Sequence, residues 1–171
     1  HTEQGSEILK NFVLKICKAK QDWTMEAFID STVESLSKIE GNVLCGVSGG
    51  IDSTVAALLL HKAIGDRLKC VFVDNGLLRQ NEEAEIEEMF KTNFKVNFTP
   101  IYAAESFLEK LKGVTDPEEK RKIVGEEFIR IFSEFAEKNG PFKWLAQGTL
   151  YPDVIESGVS KGPAEIGRAH V

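Results

Sequence analysis

The chain has 171 residues, of which 42% are hydrophobic and 28% are charged, and its formal net charge is −6. This length and composition are typical of one globular domain with a sizeable core. The acidic balance argues against a protein that wraps nucleic acid or lies on an anionic membrane. No apolar stretch approaches the ~20 residues of a membrane span, and no signal peptide opens the sequence.

The chain contains three cysteines, Cys17, Cys45 and Cys70, without CxxC spacing. Cys45 and Cys70 lie within apolar, strand-like runs. We therefore expect buried thiols rather than metal ligands or a disulfide framework. Such cysteine usage fits a reducing compartment and predicts a cytoplasmic location.

The remaining sequence predicts helices and strands in alternation, because stripes at helical spacing follow short apolar runs. Thr24 and Asp116 are the predicted N-caps of two of the helices. The predicted helices span residues 8–17, 25–39, 52–64, 79–91, 104–111 and 116–139. The predicted strands span residues 43–47, 70–74, 94–101 and 143–147.

This order predicts an α/β fold with a doubly wound parallel sheet, because helices that link parallel strands cover both faces of the sheet. Ligands of such sheets bind beyond the carboxyl ends of the strands. Four segments are expected to converge there, namely the loop after Val47, residues 74–76, residues 102–103 and residues 148–153.

The loop after the first strand reads Ser48-Gly49-Gly50-Ile51-Asp52-Ser53 and leads into an Ala- and Leu-rich helix. Backbone N–H groups at a helix N-terminus bind anions, and the glycines allow a close approach. The loop has no lysine and therefore differs from GxxxxGK[ST], and its glycine spacing excludes GxGxxG. Asp52 could hold Mg²⁺ between phosphates. The loop thus predicts a pyrophosphate site, and the alternative is a glycine turn followed by a Ser/Asp helix cap.

The hexapeptide SGGIDS after an apolar strand resembles the signature of the N-type ATP pyrophosphatases, whose fold is adenine-nucleotide alpha-hydrolase-like. Members of this family cleave ATP between the α and β phosphates and adenylate a carbonyl oxygen of an acceptor. Residues 71–79, 116–125 and 144–157 resemble, within that family, the glutamine-hydrolysing GMP synthases. Residues 1–5 resemble the end of the amidotransferase domain of those enzymes.

The resemblance extends to about residue 164 and implies three parts. Residues 1–22 would be the tail of an upstream glutamine amidotransferase domain with its linker. Residues 23–164 would be the ATP pyrophosphatase domain, incomplete at its C-terminus. Residues 165–171 match nothing in the family, and we interpret them as a foreign tail on a truncated sequence.

The resemblance also implies residue roles. Ser48, Asp52 and Ser53 would be catalytic, with Asp52 near Mg²⁺, and the backbone of Val73 would meet adenine. Arg121 would bind xanthosine monophosphate (XMP), whereas the residues alone favour a solvated basic face there. The pyrophosphate of ATP would be bound by Ser48, Gly49, Gly50, Ile51, Asp52, Ser53 and Thr54. Asp153 and Glu156 could hold metal or nucleotide, or could be a loop acid pair.

The implied activity is a ligase reaction with ATP, Mg²⁺ and XMP. XMP is adenylated at O2 with release of pyrophosphate, and glutamine-derived ammonia then gives GMP. The parent enzyme would be a homodimer, and we expect the 171-residue chain alone to be inactive. The alternatives are another N-type ATP pyrophosphatase, such as NAD synthetase, and a non-catalytic adenine-nucleotide-binding module.

Overall fold

Apolar runs and helical stripes form alternating strands and helices along residues 2–149, the part of the chain that the computed structural model describes. The strands are β1 (Asn42–Val47), β2 (Leu68–Asp74), β3 (Phe98–Tyr102) and β4 (Phe142–Gln147). The helices are α1 (Gly5–Lys10), α2 (Met25–Ser37), α3 (Ile51–Ile64), α4 (Glu82–Glu88), α5 (Ala104–Leu111) and α6 (Pro117–Asn139). Helices α1 and α4 continue as π-helical segments, Asn11–Ile16 and Met89–Asn93, and a 3-10 turn (Gly65–Arg67) follows α3.

Within residues 2–149 the strands form one parallel sheet in the order β3-β2-β1-β4. Strand β1 is central, and its Cys45 pairs with Cys70 of β2 on one side and with Ala146 of β4 on the other. Parallel neighbours require crossover connections, and a helix lies between each pair of consecutive strands. The predicted parallel α/β fold is confirmed.

Successive side chains of β1 and β2 point to opposite faces of the sheet, and each face has its own helices. One core joins β1 and β2 to α3 and α4, and it includes Val43, Cys45, Val47, Cys70, Phe72, Ala57, Leu60, Ile64, Ile86 and Phe90. The opposite core joins the sheet to α5 and α6, and it includes Leu44, Val71, Val73, Phe107 and Ile131. Burial of both faces explains why β1 and β2 are nearly continuous apolar runs rather than alternating ones.

The cysteine prediction is confirmed for the two strand residues. Cys45 and Cys70 are fully buried free thiols in neighbouring strands, whereas Cys17 is exposed. A hydrogen bond to Cys45 together with burial raises the pKa of the Cys70 thiol. Because the thiolate is the reactive form, burial and the raised pKa both lower the reactivity of the Cys70 thiol.

Both predicted N-caps are confirmed. The Thr24 hydroxyl accepts the Ala27 N–H at 3.1 Å, and the Asp116 carboxylate accepts the Glu119 N–H at 2.8 Å. Pro117 occupies the first turn of α6, where its missing N–H is not needed. At the other end α6 stops at Asn139, because Gly140 adopts φ +126°.

Two elements start three or more residues later than predicted. The third strand begins at Phe98 rather than Phe94, because the π-helical segment extends to Asn93 and Lys95 adopts φ +53°. The fourth helix begins at Glu82 rather than Arg79, because Asn81 is left-handed with φ +67°. In both cases a non-glycine residue with positive φ lies shortly before the start of the element, and apolar periodicity does not reveal it.

Helix α1 and its π-helical extension contain no buried residue and, unlike the other α-helices, contribute nothing to either core. Its apolar stripe is exposed, at Ile8, Leu9, Phe12, Val13 and Ile16. No helix among the described residues is long and apolar enough to cross a membrane.

Candidate functional site

The strand order places a crevice at one point of the carboxyl edge of the sheet. From β1 the chain moves outward to β2 and β3, and then returns to the opposite side of β1 as β4. The carboxyl ends of β1 and β4 therefore flank the topological switch point, where open α/β sheets bind ligands. The loop Ser48–Ser53 follows β1 at this point, and Gly148 follows β4.

The loop is built to lead a strand into a helix. Gly49 adopts φ +80°, a conformation that side chains other than glycine rarely reach, and Gly50 is the extended N-cap of α3. The first-turn N–H groups of Ile51, Asp52 and Ser53 have no acceptor within the helix. These donors, with the dipole of a 14-residue helix behind them, favour an anion.

The hydroxyls of the loop hold it in shape. Ser53 is only 6% exposed, and its Oγ accepts the Ser48 N–H and donates to the Gly50 carbonyl, both at 3.1 Å. Ser48 Oγ lies 3.1 Å from Ser53 Oγ and donates to it, because the single Ser53 proton is already used. Thr54 Oγ1 donates to the same Gly50 carbonyl at 2.9 Å. The three hydroxyls predicted as phosphate ligands are thus engaged within the loop.

Two residues on other elements limit where the loop can lie. A Cβ atom at Gly49 would stand 2.4 Å from Ile86 Cδ1, so α4 packs directly behind the loop. A Cβ atom at Gly148 would stand 2.8 Å from the Ser53 backbone N and Cα. Residues 148–153 are predicted from the sequence to lie near the loop, but no sequence pattern assigns Ile86 or Gly148 a role in its shape. Such contacts depend on tertiary packing and leave no local signal in the sequence.

The end of β2 carries the next segment of the edge. Val73 is buried and pairs with Ile101 of β3, so only its backbone is available for recognition. The Asp74 and Asn75 carboxylate and amide oxygens accept the N–H groups of Gly76 and Leu77, at 2.8 and 3.0 Å. A cavity of about 380 Å³ opens beside this turn and is lined by Asp74, Gly76, Leu78, Arg79, Asn81, Glu83 and Ala84.

The far side of the edge, beyond β3, is acidic. Tyr102 is exposed, and a hydrogen bond to Glu83 raises the pKa of its phenol, with the charges of Glu87 and Asp74 adding to the effect. A second cavity beside Tyr102 includes Glu105 and Glu109. Negative charge there repels phosphate, so the electrostatics favour an anion at the β1–β4 crevice instead.

Three further predicted site residues are Arg121, Asp153 and Glu156. Arg121 lies in the second turn of α6, where its Nη1 contacts both carboxylate oxygens of Glu118, at 2.8 and 3.0 Å. Asp153 and Glu156 lie outside the described residues. Among residues 2–149, no group of three or more His, Cys, Asp or Glu side chains could hold a metal ion. The exposed Asp52 is therefore the carboxylate of the loop that could share a cation with a bound phosphate.

The fold and the loop together define a class, namely three-layer α/β proteins with a lysine-free anion loop at the switch point of a parallel sheet. A family model described as NAD synthase matches residues 23–128, and the chain belongs to this family. A solved structure, the NH3-dependent NAD synthetase from Campylobacter jejuni, aligns with a TM-score of 0.50 and 16% identity. The alignment covers 77% of this chain and 69% of that one, and it shows the common fold.

Curated relatives named as glutamine-hydrolysing GMP synthases are much closer in sequence. The protein from Alkaliphilus metalliredigens is 57% identical over 92% of this chain, and that from Acetivibrio thermocellus is 54% identical over 99%. The alignments cover 31% and 33% of the two relatives, so the chain spans about a third of their length. The predicted resemblance to GMP synthases is confirmed.

Proposed function

We propose that the chain is the ATP pyrophosphatase part of a GMP synthase-type ligase. The observation that carries this proposal is the lysine-free loop Ser48–Thr54, which leads from the central strand into α3 at the switch point of the sheet. The names of the relatives support the choice of ligase, because every close relative described above is a GMP synthase.

In this proposal the residues from Ser48 to Thr54 bind the pyrophosphate of ATP. The N–H groups of Gly49, Ile51 and Asp52 donate to phosphate oxygens, and the positive end of the α3 dipole faces the phosphates. The Ser48 hydroxyl turns from Ser53 toward a phosphate oxygen, which leaves Ser53 to hold the loop. Asp52 fits Mg²⁺, which binds to one or two carboxylates together with substrate phosphates. When bound there, the ion offsets phosphate charge.

The acceptor is XMP. Its O2 attacks the α-phosphorus of ATP, the bond to the β-phosphate oxygen breaks, and pyrophosphate leaves into the loop. Ammonia then attacks C2 and AMP departs, which leaves GMP. Val73 contributes its backbone to adenine recognition, and Arg121 contributes a planar cation for a nucleotide phosphate. Asp153 and Glu156 are proposed as further metal or nucleotide ligands.

The proposal includes a division of the chain. Residues 1–22 end a glutamine amidotransferase domain, and residues 23–164 belong to the pyrophosphatase domain. Two observations support the first boundary, since the family match begins at residue 23 and α1 contributes no residue to either core, whereas Leu36 of α2 packs against one. The whole enzyme is a homodimer that receives ammonia from the amidotransferase domain, and the 171-residue chain alone is inactive.

The test is a chimera in which this chain replaces the matching third of the Acetivibrio thermocellus GMP synthase. We expect XMP-dependent release of pyrophosphate from ATP when ammonium is supplied. Asp52→Ala should lower the rate about a hundredfold or more, because charge stabilisation in the transition state is lost. Asp66→Ala is the matched control, because Asp66 is an exposed acid just beyond the other end of α3. A folded chimera that releases no pyrophosphate with any acceptor would contradict the proposed function.

NAD synthetase activity is the second candidate, since the matching family model bears that name. The same assay separates the two, with XMP in one arm and the nicotinate dinucleotide substrate in the other. Pyrophosphate release that depends on the nicotinate substrate and not on XMP would favour the second candidate.

A further inference from the structure

The backbone of Gly148 lies against the first turn of α3 more closely than any side chain would allow. A Cβ atom built on Gly148 would be 2.8 Å from Ser53 N, 2.8 Å from Ser53 Cα and 3.0 Å from Asp52 C. All three are backbone atoms, which cannot move aside as the end of a flexible side chain can. Real Cβ contacts below 3.0 Å essentially do not occur, so any larger residue must displace one of the two segments.

Conformational freedom does not explain this glycine. Gly49, Gly65, Gly76, Gly113 and Gly140 have positive φ, whereas Gly148 does not. An alanine could therefore adopt the Gly148 backbone angles without strain. What remains is the close approach itself, since β4 pairs with β1 up to Gln147 and the chain then passes directly over Asp52 and Ser53.

Ser53 also joins this contact to the rest of the loop. Its hydroxyl accepts the Ser48 N–H and donates to the Gly50 carbonyl, and its residue is buried. A displacement of the Ser53 backbone therefore shifts both ends of the loop together. On the opposite side, Ile86 of α4 meets Gly49. The loop is held between α4 and the exit of β4.

We infer that Gly148 is a positioning residue, whose missing side chain fixes the first turn of α3 and with it the N–H groups that face the anion. The inference rests on the proposed function for the identity of the anion. Gly148 is then one wall of the loop, so a shift of Gly148 shifts the pyrophosphate site with it.

Hydrogen exchange of the 171-residue chain tests the inference without activity. In Gly148→Ala the amides of residues 48–57 should exchange roughly tenfold faster, because overpacking weakens the local structure. The amides of β2 and α6 should keep their wild-type rates. Gly5→Ala is the matched control, because a Cβ there meets only Thr2, at 4.0 Å, and the variant should match wild type throughout. Unchanged exchange at residues 48–57 in Gly148→Ala would overturn the inference.

If Gly148→Ala does not fold, NMR of the wild-type chain tests the same contact. Gly148 Hα should then show cross-relaxation with the Ser53 amide proton. Absence of this cross-relaxation would overturn the inference. Titration of both proteins with magnesium pyrophosphate should show roughly tenfold weaker binding to Gly148→Ala. Wild-type protein that binds no pyrophosphate would overturn the proposed function only, and the exchange rates would still decide the role of Gly148.

Discussion

Gly49 and Gly113 have nearly the same backbone angle, φ +80° and +79°, but different surroundings. A Cβ at Gly49 would meet Ile86 at 2.4 Å, whereas nothing lies within 4 Å of a Cβ at Gly113. An alanine at either position strains the backbone, and only the one at residue 49 also collides with a core side chain. A comparison of alanine variants at these two positions therefore separates the cost of backbone strain from the cost of a steric clash.

We predict that Gly49→Ala lowers the free energy of unfolding by about 1–3 kcal/mol more than Gly113→Ala does. Urea denaturation measures both. Adding Ile86→Ala should recover part of the extra loss, because the clashing atoms are removed, so the double variant should be less destabilised than the sum of the single changes. Strictly additive effects would show that α4 does not support the loop.

Glu127 is a charged residue that is buried among the apolar side chains of the core. The side chain is fully buried, and its carboxylate accepts hydrogen bonds from Ser106 and Lys110 of α5 and from Arg130 of α6. The bidentate bond to Arg130, with help from Lys110 and Ser106, holds the pKa of Glu127 well below its usual range despite burial. The carboxylate thereby ties α5 to α6.

We predict that Glu127→Gln lowers the free energy of unfolding by about 1–3 kcal/mol at neutral pH, because hydrogen bonds to a charged group are lost. A carboxyl whose pKa is depressed in the folded state stabilises above its unfolded pKa, and this stabilisation fades as pH falls toward the folded pKa. The difference between wild type and Glu127→Gln should therefore be constant above about pH 5.5 and shrink below the ordinary carboxyl pKa of 4.5. A difference that persists unchanged at pH 3 would contradict this account.

At the scale of elements, the features predicted correctly are those that depend on residues close together in the sequence. Thr24 and Asp116 cap the N-termini of their helices as expected, because capping depends on a few neighbouring atoms. Lys95 and Asn81 were not predicted to have positive φ, and the two element boundaries that depend on them were placed wrongly. Apolar periodicity carries no information on the backbone angles of such polar residues between two elements.

The same distinction applies to the candidate site. Glycines, hydroxyls and a carboxylate after an apolar strand were sufficient to predict an anion loop. The contacts of Gly49 and Gly148 join residues far apart in sequence and left no local mark. The burial of Glu127, in contrast, has a signal in the sequence. The residue lies three positions after Val124 and four before Ile131, on the apolar stripe of α6. A charged residue on such a stripe is a signal for a buried, paired carboxylate.

The N-terminus of α6 offers a test at this scale. We predict that Asp116→Ala destabilises the protein by about 1 kcal/mol, because the Glu119 N–H loses its acceptor. Asp116→Asn should retain most of the stability, since its side-chain oxygen can accept the same bond. Thermal or urea unfolding of the two variants decides the matter, and equal losses would show that charge rather than capping is responsible.

At the scale of the whole molecule, the exposed stripe of α1 separates residues 2–20 from the packed layers. We predict that deletion of residues 1–20 changes the free energy of unfolding by less than about 1 kcal/mol, because no buried side chain is removed. Deletion of residues 1–40 should cost more than about 2 kcal/mol, because Leu36 and Ile39 pack against the core. Circular dichroism during urea titration compares the two. A large loss from the shorter deletion would show that α1 is part of the domain.

The position of β4 beside β1 has a consequence for how the protein is made. Cys45 and Ala146 are neighbours in the sheet although about 100 residues separate them, so this pairing closes a long loop and belongs to the slow, non-local part of folding. A ribosome adds roughly 5–20 residues per second, and Gly148 therefore emerges about 5–20 s after the loop it supports. During that interval the nascent chain carries Ser48–Ser53 without its second wall. On the proposed function, the pyrophosphate site is therefore complete only after β4 has docked beside β1.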